Sequence, residues 1–225
     1  MSKLFLLRHL KSQWNLENRF AGWTDGPLAE GVDGDARELA DKIFGNKIDV
    51  IYSSPLFRNM DTVAKILECL PGKYPFFIHL YGGKIQKWQN HTDISDNDIP
   101  TYLSENLNER YYGKLQGLSK EDTIKKYGEE KVRQWRRSYD VAPPGGESEK
   151  DVYKRAVPFY RKYVEKDLKD GKNVLVVASH NSLRAIVKYI ENIPDEKIID
   201  LELPFGALIE YDFDDLLGLL GKQSL

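Results

Sequence analysis

The sequence predicts an α/β fold: a three-layer α/β/α sandwich with a mostly parallel central sheet. Three observations carry this. Short apolar runs alternate along the chain with longer stretches of helical periodicity. The run Asn173-Val174-Leu175-Val176-Val177-Ala178 is continuous, short and β-branched, as a strand covered on both faces should be. Two apolar runs also stop abruptly in polar clusters, Leu4–Leu7 in Arg8-His9 and Val174–Ala178 in Ser179-His180-Asn181-Ser182. Strands that deliver chemistry to one edge of an open sheet end in this way.

The elements follow in order. Leu4–Leu7 is the first strand, with a turn after it, and the Gly- and Pro-bearing stretch 18–27 is a loop. Residues 30–45 read as a helix with Ala36, Leu39, Ala40 and Ile43 on one face, stopped by Gly45-Asn46. Ile48–Tyr52 is the second strand, and Ser53-Ser54-Pro55 starts a helix over about 56–70 that carries Arg58 in its first turn. Pro75–Leu80 is a third strand. Residues 81–106 turn polar and irregular and read as a surface excursion, a lid or a small hairpin. Residues 119–137 read as one helix with a Ser119 start, Pro143-Pro144-Gly145-Gly146 is a break, and 148–168 is a helix that Pro158 can kink. The strand 173–178 leads into a helix carrying Arg184. Gly206–Tyr211 is the last strand, and the tail from Asp212 carries little signal. One domain over 1–225 is the expectation.

Composition narrows the function. With 225 residues, 41% hydrophobic and 30% charged, the chain suits a folded globule. A net charge of -2 excludes the overall basic character of a general nucleic-acid binder. No apolar run approaches the roughly 20 residues of a membrane span. The single cysteine, Cys69, cannot form an internal disulfide and lies in an apolar helical pattern. It reads as a buried thiol in a reducing compartment, and the expected location is cytoplasmic. His79 and His91 have no ligand-spaced partners, so no metal is expected.

Parallel strands bring Arg8, His9, Arg58 and His180 to one sheet edge, beside a helix amino-terminus. Guanidinium groups grip tetrahedral oxyanions bidentately, and helix amino-termini favour anions. The pattern is a phosphate site with a histidine inside it. A neutral imidazole can attack phosphorus, giving a phosphohistidine, while cations disperse the charge of transfer. A carboxylic acid such as Glu109 can supply the proton to the leaving oxygen. Spacing alone favours a simpler role for Glu109, as a surface partner of Arg110.

These residues resemble the cofactor-dependent phosphoglycerate mutases of the histidine phosphatase superfamily. The likeness runs through Arg8-His9 with Ser12 and Asn15, Asn18-Arg19-Phe20, Gly22-Trp23, Arg58 with Thr62, Asn108-Glu109-Arg110-Tyr111-Tyr112-Gly113, and Gly117–Lys120. It is densest at Trp135-Arg136-Arg137-Ser138-Tyr139-Asp140 and closes at Asn181-Ser182-Leu183-Arg184 and Leu203-Pro204. The resemblance implies that His9 is the phosphorylated nucleophile and Glu109 the proton donor and acceptor. Arg8, Arg58 and His180 would hold the transferring phosphoryl group. Ser12, Asn15, Gly22 and Asn181 would line the pocket, and Tyr112, Lys120, Arg136 and Arg137 would bind the carboxylate and second phosphate. It further implies 2,3-bisphosphoglycerate as the priming phosphoryl donor, no metal, and a small phosphoglycerate as the only partner class. Monomer and homo-oligomer are both compatible with it.

The chain departs from the family in places. Leu10-Lys11 stand where Gly-Glu is usual, and Ala21 replaces a hydroxyl residue. The family's His-Gly-Asn-Ser is Ser179-His180-Asn181-Ser182 here, so an ungapped count puts Ser179 in the histidine position. The reading favours a re-formed turn that presents His180. The 81–106 excursion is long and the segment 141–147 is short, so the excursion is expected to cover the site. Interconversion of 3- and 2-phosphoglycerate is the leading expectation. A phosphatase acting on bisphosphoglycerate or another small phosphoester is the second, and a non-catalytic phospholigand binder the third.

Overall fold

A computed structural model describes residues 1–89 and 94–225; His91 lies outside the described residues. Seven strands form one sheet in the order β3-β4-β2-β5-β1-β6-β7. β1 (Ser2–Arg8) sits between β5 (Val174–Ala178), to which it is parallel, and β6 (Leu208–Phe213), to which it is antiparallel. β2 (Val50–Ser53) pairs parallel with β5 and with β4 (Asp98–Leu103), and β4 pairs parallel with β3 (Tyr74–His79). β7 (Leu219–Ser224) closes the sheet against β6.

Side-chain alternation along the central strands builds two separate cores. Leu4 and Leu6 of β1, with Val174, Val176 and Ala178 of β5, face a cluster made with Phe159, Val164, Leu183 and Ile186. Phe5 and Leu7, with Leu175 and Val177, face the other cluster, made with Ala36, Leu39, Ile43, Val63 and Ile66. Helices α2 (Asp33–Phe44) and α3 (Phe57–Glu68) therefore cover one face. The other is covered by α7 (Glu149–Phe159), α8 (Glu165–Lys169) and α9 (His180–Ile190). This is the three-layer sandwich that the alternation of runs predicts.

Four expectations need correction. Residues 98–103 do not belong to an excursion: β4 is an inner strand with Ile99, Thr101 and Leu103 buried. The Asn/Asp/Ser-rich approach and Pro100 hide its alternation, and the ladder to β2 begins only at Thr101, beyond the proline. The rest of the described excursion holds a short helix, α4 (Gly83–Trp88), against β3. The helix expected over 119–137 is two, α5 (Lys120–Tyr127) and α6 (Glu129–Arg137). Gly128 parts them at φ +85°, its N–H closing the last turn of α5 on the Ile124 carbonyl at 2.8 Å. The tail is also ordered into sheet: Asp214 Oδ1 accepts from the N–H groups of Leu216 and Gly218 and turns β6 into β7. After Pro158, the chain passes through one wide turn, Tyr160–Val164, before α8. No helix among the described residues is long and apolar enough to cross a membrane.

Candidate active site

The carboxyl ends of β1 and β5 lie side by side, Arg8 opposite Ala178, and open onto a cavity. The β1 end is fixed by backbone bonds in two directions: His9 N–H donates to the Ala178 carbonyl at 3.1 Å, and Arg8 N–H to the Ala207 carbonyl at 2.9 Å. Leu10 N–H then bonds Thr62 Oγ1 at 3.1 Å, and the same hydroxyl donates to the Arg58 carbonyl at 2.7 Å. The loop after β1 is thus tied to the first turn of α3, where Arg58 resides.

His9 is 2% exposed. Its Nδ1 lies 2.6 Å from the Leu10 carbonyl, a group that can only accept, so Nδ1 carries the proton and Nε2 keeps its lone pair. Burial first, then Arg58 and Arg8, hold the imidazole well below the usual 6.5. A neutral ring with a free Nε2 among cations is the form that attacks phosphorus.

Arg8 is brought down to about 10 by burial and still carries its charge at neutral pH. One N–H donates to the Leu203 carbonyl, and the flat face of its guanidinium lies 3.7 Å from the Phe205 ring centre. Arg58, fully enclosed, donates to the carbonyls of Gly22 at 2.7 Å and Thr24 at 3.1 Å. Gly22 has φ +53°, and a Cβ there would fall 2.3 Å from Gln116 Oε1. A side chain here would strain the backbone and displace the Gln116 amide. Gln116 uses the same oxygen to accept the Trp23 N–H at 2.7 Å.

Glu109 lines the opposite part of the wall. Its Oε1 accepts from the Arg110 N–H at 2.7 Å and from Asn181 Nδ2 at 2.5 Å, and Asn181 also reaches the Tyr112 hydroxyl at 3.2 Å. The Glu109 carbonyl is clamped by Trp23 Nε1 at 2.6 Å and Arg155 at 3.0 Å. Arg155 in turn forms a two-pronged pair with Glu147, at 2.8 and 2.9 Å. The surface pairing with Arg110 that spacing favours is not what forms. Glu109 is buried and faces the cavity, with a backbone held for precision.

His180 lines the cavity and Ser179 does not. Ser179 is fully buried, where its Oγ accepts from Asn59 Nδ2 at 3.4 Å. His180 opens α9, and burial with Arg8 and Arg184 keeps its ring well below 6.5. Its Nε2 accepts from the Leu203 N–H at 3.3 Å. Glu202 Oε2 is 3.4 Å from the same nitrogen, but a neutral Nε2 that accepts cannot also donate, and Glu202 is engaged by Arg137. The proton of His180 therefore resides on Nδ1.

Of the predicted site residues, the structure gathers Arg8, His9, Asn15, Gly22, Arg58, Glu109, Tyr112, Lys120, Arg136, Arg137, His180 and Asn181 around one cavity. Ser12 is the exception. It is buried beside the cavity, at the start of α1 (Gln13–Leu16), where its N–H and hydroxyl both bind Asn15 Oδ1, at 3.2 and 2.7 Å. Its role is to orient Asn15, leaving the amide N–H2 as the donor available to a ligand. No described residue of 81–106 lines the cavity. Glu202 and Phe205 stand there instead. These two, with Arg110 and Arg184, are wall residues that the motifs contained or adjoined but that received no role. A signal for Phe205 existed in the Leu203-Pro204 block just before it.

Cations dominate the wall. Burial and the neighbouring Arg136 lower Lys120, as expected of cations gathered without a ligand. Among the described residues, the Nε groups of Arg8, Arg110 and Arg184 are buried without a hydrogen-bond partner. The cation-rich wall of the cavity suits a polyanion.

The profile of the histidine phosphatase superfamily (branch 1) matches residues 4–79 and 86–218. A 2,3-bisphosphoglycerate-dependent phosphoglycerate mutase of Methanococcus vannielii is 41% identical, over 100% of this chain and 97% of the relative. One from Gloeobacter violaceus, phosphoglycerate mutase 1 of the same kind, is 39% identical over 100% and 99%. Among solved structures, Bacillus stearothermophilus YhfR superposes with a TM-score of 0.75 at 23% identity, covering 95% of this chain and 92% of that one. A mycobacterial glucosyl-3-phosphoglycerate phosphatase in complex with VO3 gives 0.74 at 22%, covering 94% and 93%. Sheet order, the histidine at the end of β1 and a full-length sequence match all agree: this chain belongs to the histidine phosphatase superfamily.

Proposed function

We propose that the protein interconverts 3-phosphoglycerate and 2-phosphoglycerate through a phosphorylated His9. The observation that carries this is the His9 tautomer: Nδ1–H is held by the Leu10 carbonyl, and Nε2 is left bare among Arg8 and Arg58. In this reading the primed phosphohistidine first passes its phosphoryl group to the free hydroxyl of a bound phosphoglycerate, giving the 2,3-bisphosphate, and the freed His9 Nε2 then attacks the other phosphorus and breaks its P–O bond to the glycerate oxygen. Arg8, Arg58 and the Nδ1–H of His180 bind the non-bridging oxygens and spread the charge that builds on them. Glu109 takes the proton of the attacking hydroxyl in the first transfer and returns it to the leaving oxygen in the second. Asn181 holds Glu109 in place for both steps. Lys120, Arg136, Arg110 and Arg184 bind the acid's carboxylate and the second phosphate, with Asn15 and Tyr112 adding neutral donors.

The same set suits 2,3-bisphosphoglycerate, whose bound form would supply the first phosphoryl group. The excess of cations on the cavity wall is the fit to such a polyanion. The relatives that carry the mutase name support the reading across the full chain. A glycolytic role in the cytoplasm follows from it.

One observation favours the phosphatase reading. Arg137 is paired with Glu202 and so withdrawn from a second anionic group. A single experiment separates the two. The protein is given 3-phosphoglycerate with catalytic 2,3-bisphosphoglycerate, and 2-phosphoglycerate and free phosphate are followed together. The mutase reading requires 2-phosphoglycerate to exceed phosphate by at least tenfold; phosphate as the main product overturns it in favour of hydrolysis.

A further inference from the structure

Glu149, the first residue of α7, does not line the cavity and has no part in the chemistry above. It is 3% exposed, and among the described residues neither carboxyl oxygen has a hydrogen-bond partner. The neighbouring Glu147 shows what an architectural glutamate looks like here: Arg155 grips it with two donors, and the Tyr111 N–H adds a third at 2.8 Å. Glu149 faces cations without bonding them. Arg184 Nη1 stands 3.9 Å from Glu149 Oε2. Arg184 and Arg110 come from different segments, are 3% and 2% exposed, and both line the cavity. Both guanidinium groups are also held by carbonyls, Arg110 by Trp135 at 2.9 Å and Arg184 by Ile198; Arg184 Nη1 donates to Asn181 Oδ1 at 3.4 Å, and the Nε of each has no hydrogen-bond partner among the described residues.

We propose that Glu149 is a positioning residue: its carboxylate is the counter-charge that keeps Arg110 and Arg184 at the cavity wall and sets how strongly the cavity attracts anions. The inference rests on the cavity being an anion site, not on the mutase reaction. Burial pushes the Glu149 carboxyl up to about 7, against the pull of Arg184 and Arg110 and with a small push from Glu109; Arg155 also faces it. Its charge therefore changes near neutral pH. Below pH 7 the protonated form leaves both guanidinium charges to the ligand. Above it, the carboxylate takes a share of their field. By reciprocity, an anion entering the cavity raises the proton affinity of Glu149, so binding takes up a proton. His9 and His180 also face the cavity, and burial holds both well below 6.5, so the Glu149 variants isolate its share of the pH dependence.

Sulfate is the probe, because its charge is constant from pH 6.5 to 8.5 and it needs no catalysis. Calorimetric titration is expected to show sulfate binding to the wild type weakening by roughly fivefold across that range, the effect of one charge at moderate distance in a protein interior. Glu149→Gln should hold the tight, low-pH affinity at every pH, and Glu149→Asp should restore the slope. A flat wild-type profile, or an equal slope in Glu149→Gln, overturns the proposal; a merely architectural role would shift affinity without changing the slope. Should Glu149→Gln fail to fold, Glu149→Ala takes its place, and proton uptake per sulfate is read for it and for the wild type at pH 7 in buffers of different ionisation heat. Fractional uptake is expected in the wild type and less in the variant; equal uptake in both, or none in the wild type, overturns the idea. Failure of the mutase reading would appear only in the product assay and leave these titrations unchanged.

Discussion

The ends of β1 and β5 are neighbours in the sheet, and each gives a histidine to the same cavity, yet the two rings are held in opposite ways. His9 follows its strand directly, donates from Nδ1 to a carbonyl and keeps Nε2 free. His180 follows a buried serine, stands on the first turn of α9 and accepts at Nε2 from the Leu203 N–H. The side chain of His180 is 14% exposed. In the proposed reaction one ring is the nucleophile and the other a hydrogen-bond donor. The difference lies in the backbone group that each ring meets: a C=O at one strand end, an N–H at the other. Residue type alone does not decide a histidine's chemistry.

The contrast is most severely tested at His9. His9→Ala should lose at least roughly 10⁴-fold in turnover and all phosphoenzyme label, since no other described group of the cavity offers a free neutral nitrogen. Labelling that survives in His9→Ala would break the comparison outright. His180→Ala should cost about 10²-fold in kcat/KM, the usual loss for one preorganised donor, with His9 still labelled by bisphosphoglycerate. Ser179→Ala should stay within about twofold of wild type; the reverse order of effects would move the donor role from His180 to Ser179.

Acid should expose both rings together. Each has its pKa lowered by burial, so the native fold resists protonation that the unfolded chain accepts. The stability this represents is whole above about pH 6.5 and is lost as pH falls toward the folded-state values. Melting temperature should drop between pH 7 and 5, and His180→Asn should flatten part of that drop. The smallest effect is expected at Ser12→Ala. Losing the hydroxyl's bond to Asn15 Oδ1 should cost about 1 kcal/mol, read from denaturant unfolding, and should raise KM modestly by loosening Asn15, with kcat unchanged.

Much of this arrangement is readable in the chain itself, for physical reasons. Buried parallel strands leave unmistakable apolar runs, and the polar residues that end them mark the sheet edge where the cavity opens. His9, Arg8 and Arg58 are visible in this way. β4 is less so, because a strand of six residues containing Pro100 and preceded by Asn, Asp and Ser has the composition of a loop. Gly128 looks tolerable inside a helix until its positive φ is seen. The seat of His180 turns on a local turn geometry that depends on Leu203, twenty-three residues away, and no spacing rule carries that information. Glu149 reads as one more charge at the start of a helix; only the enclosure of its carboxyl distinguishes it.

The segment Leu203–Ala207 has an implication for how the protein is made. Arg8 and His9 sit near the start of the chain, but their backbone is stitched to Ala207, and β1 finds its neighbours only in β5 and β6. The nucleophile therefore waits for almost the whole polypeptide to emerge before it acquires a seat. Assembly from such distant partners is intrinsically slow. The proposed reaction centre is thus among the last parts of the fold to be completed, although its first residues are among the earliest made.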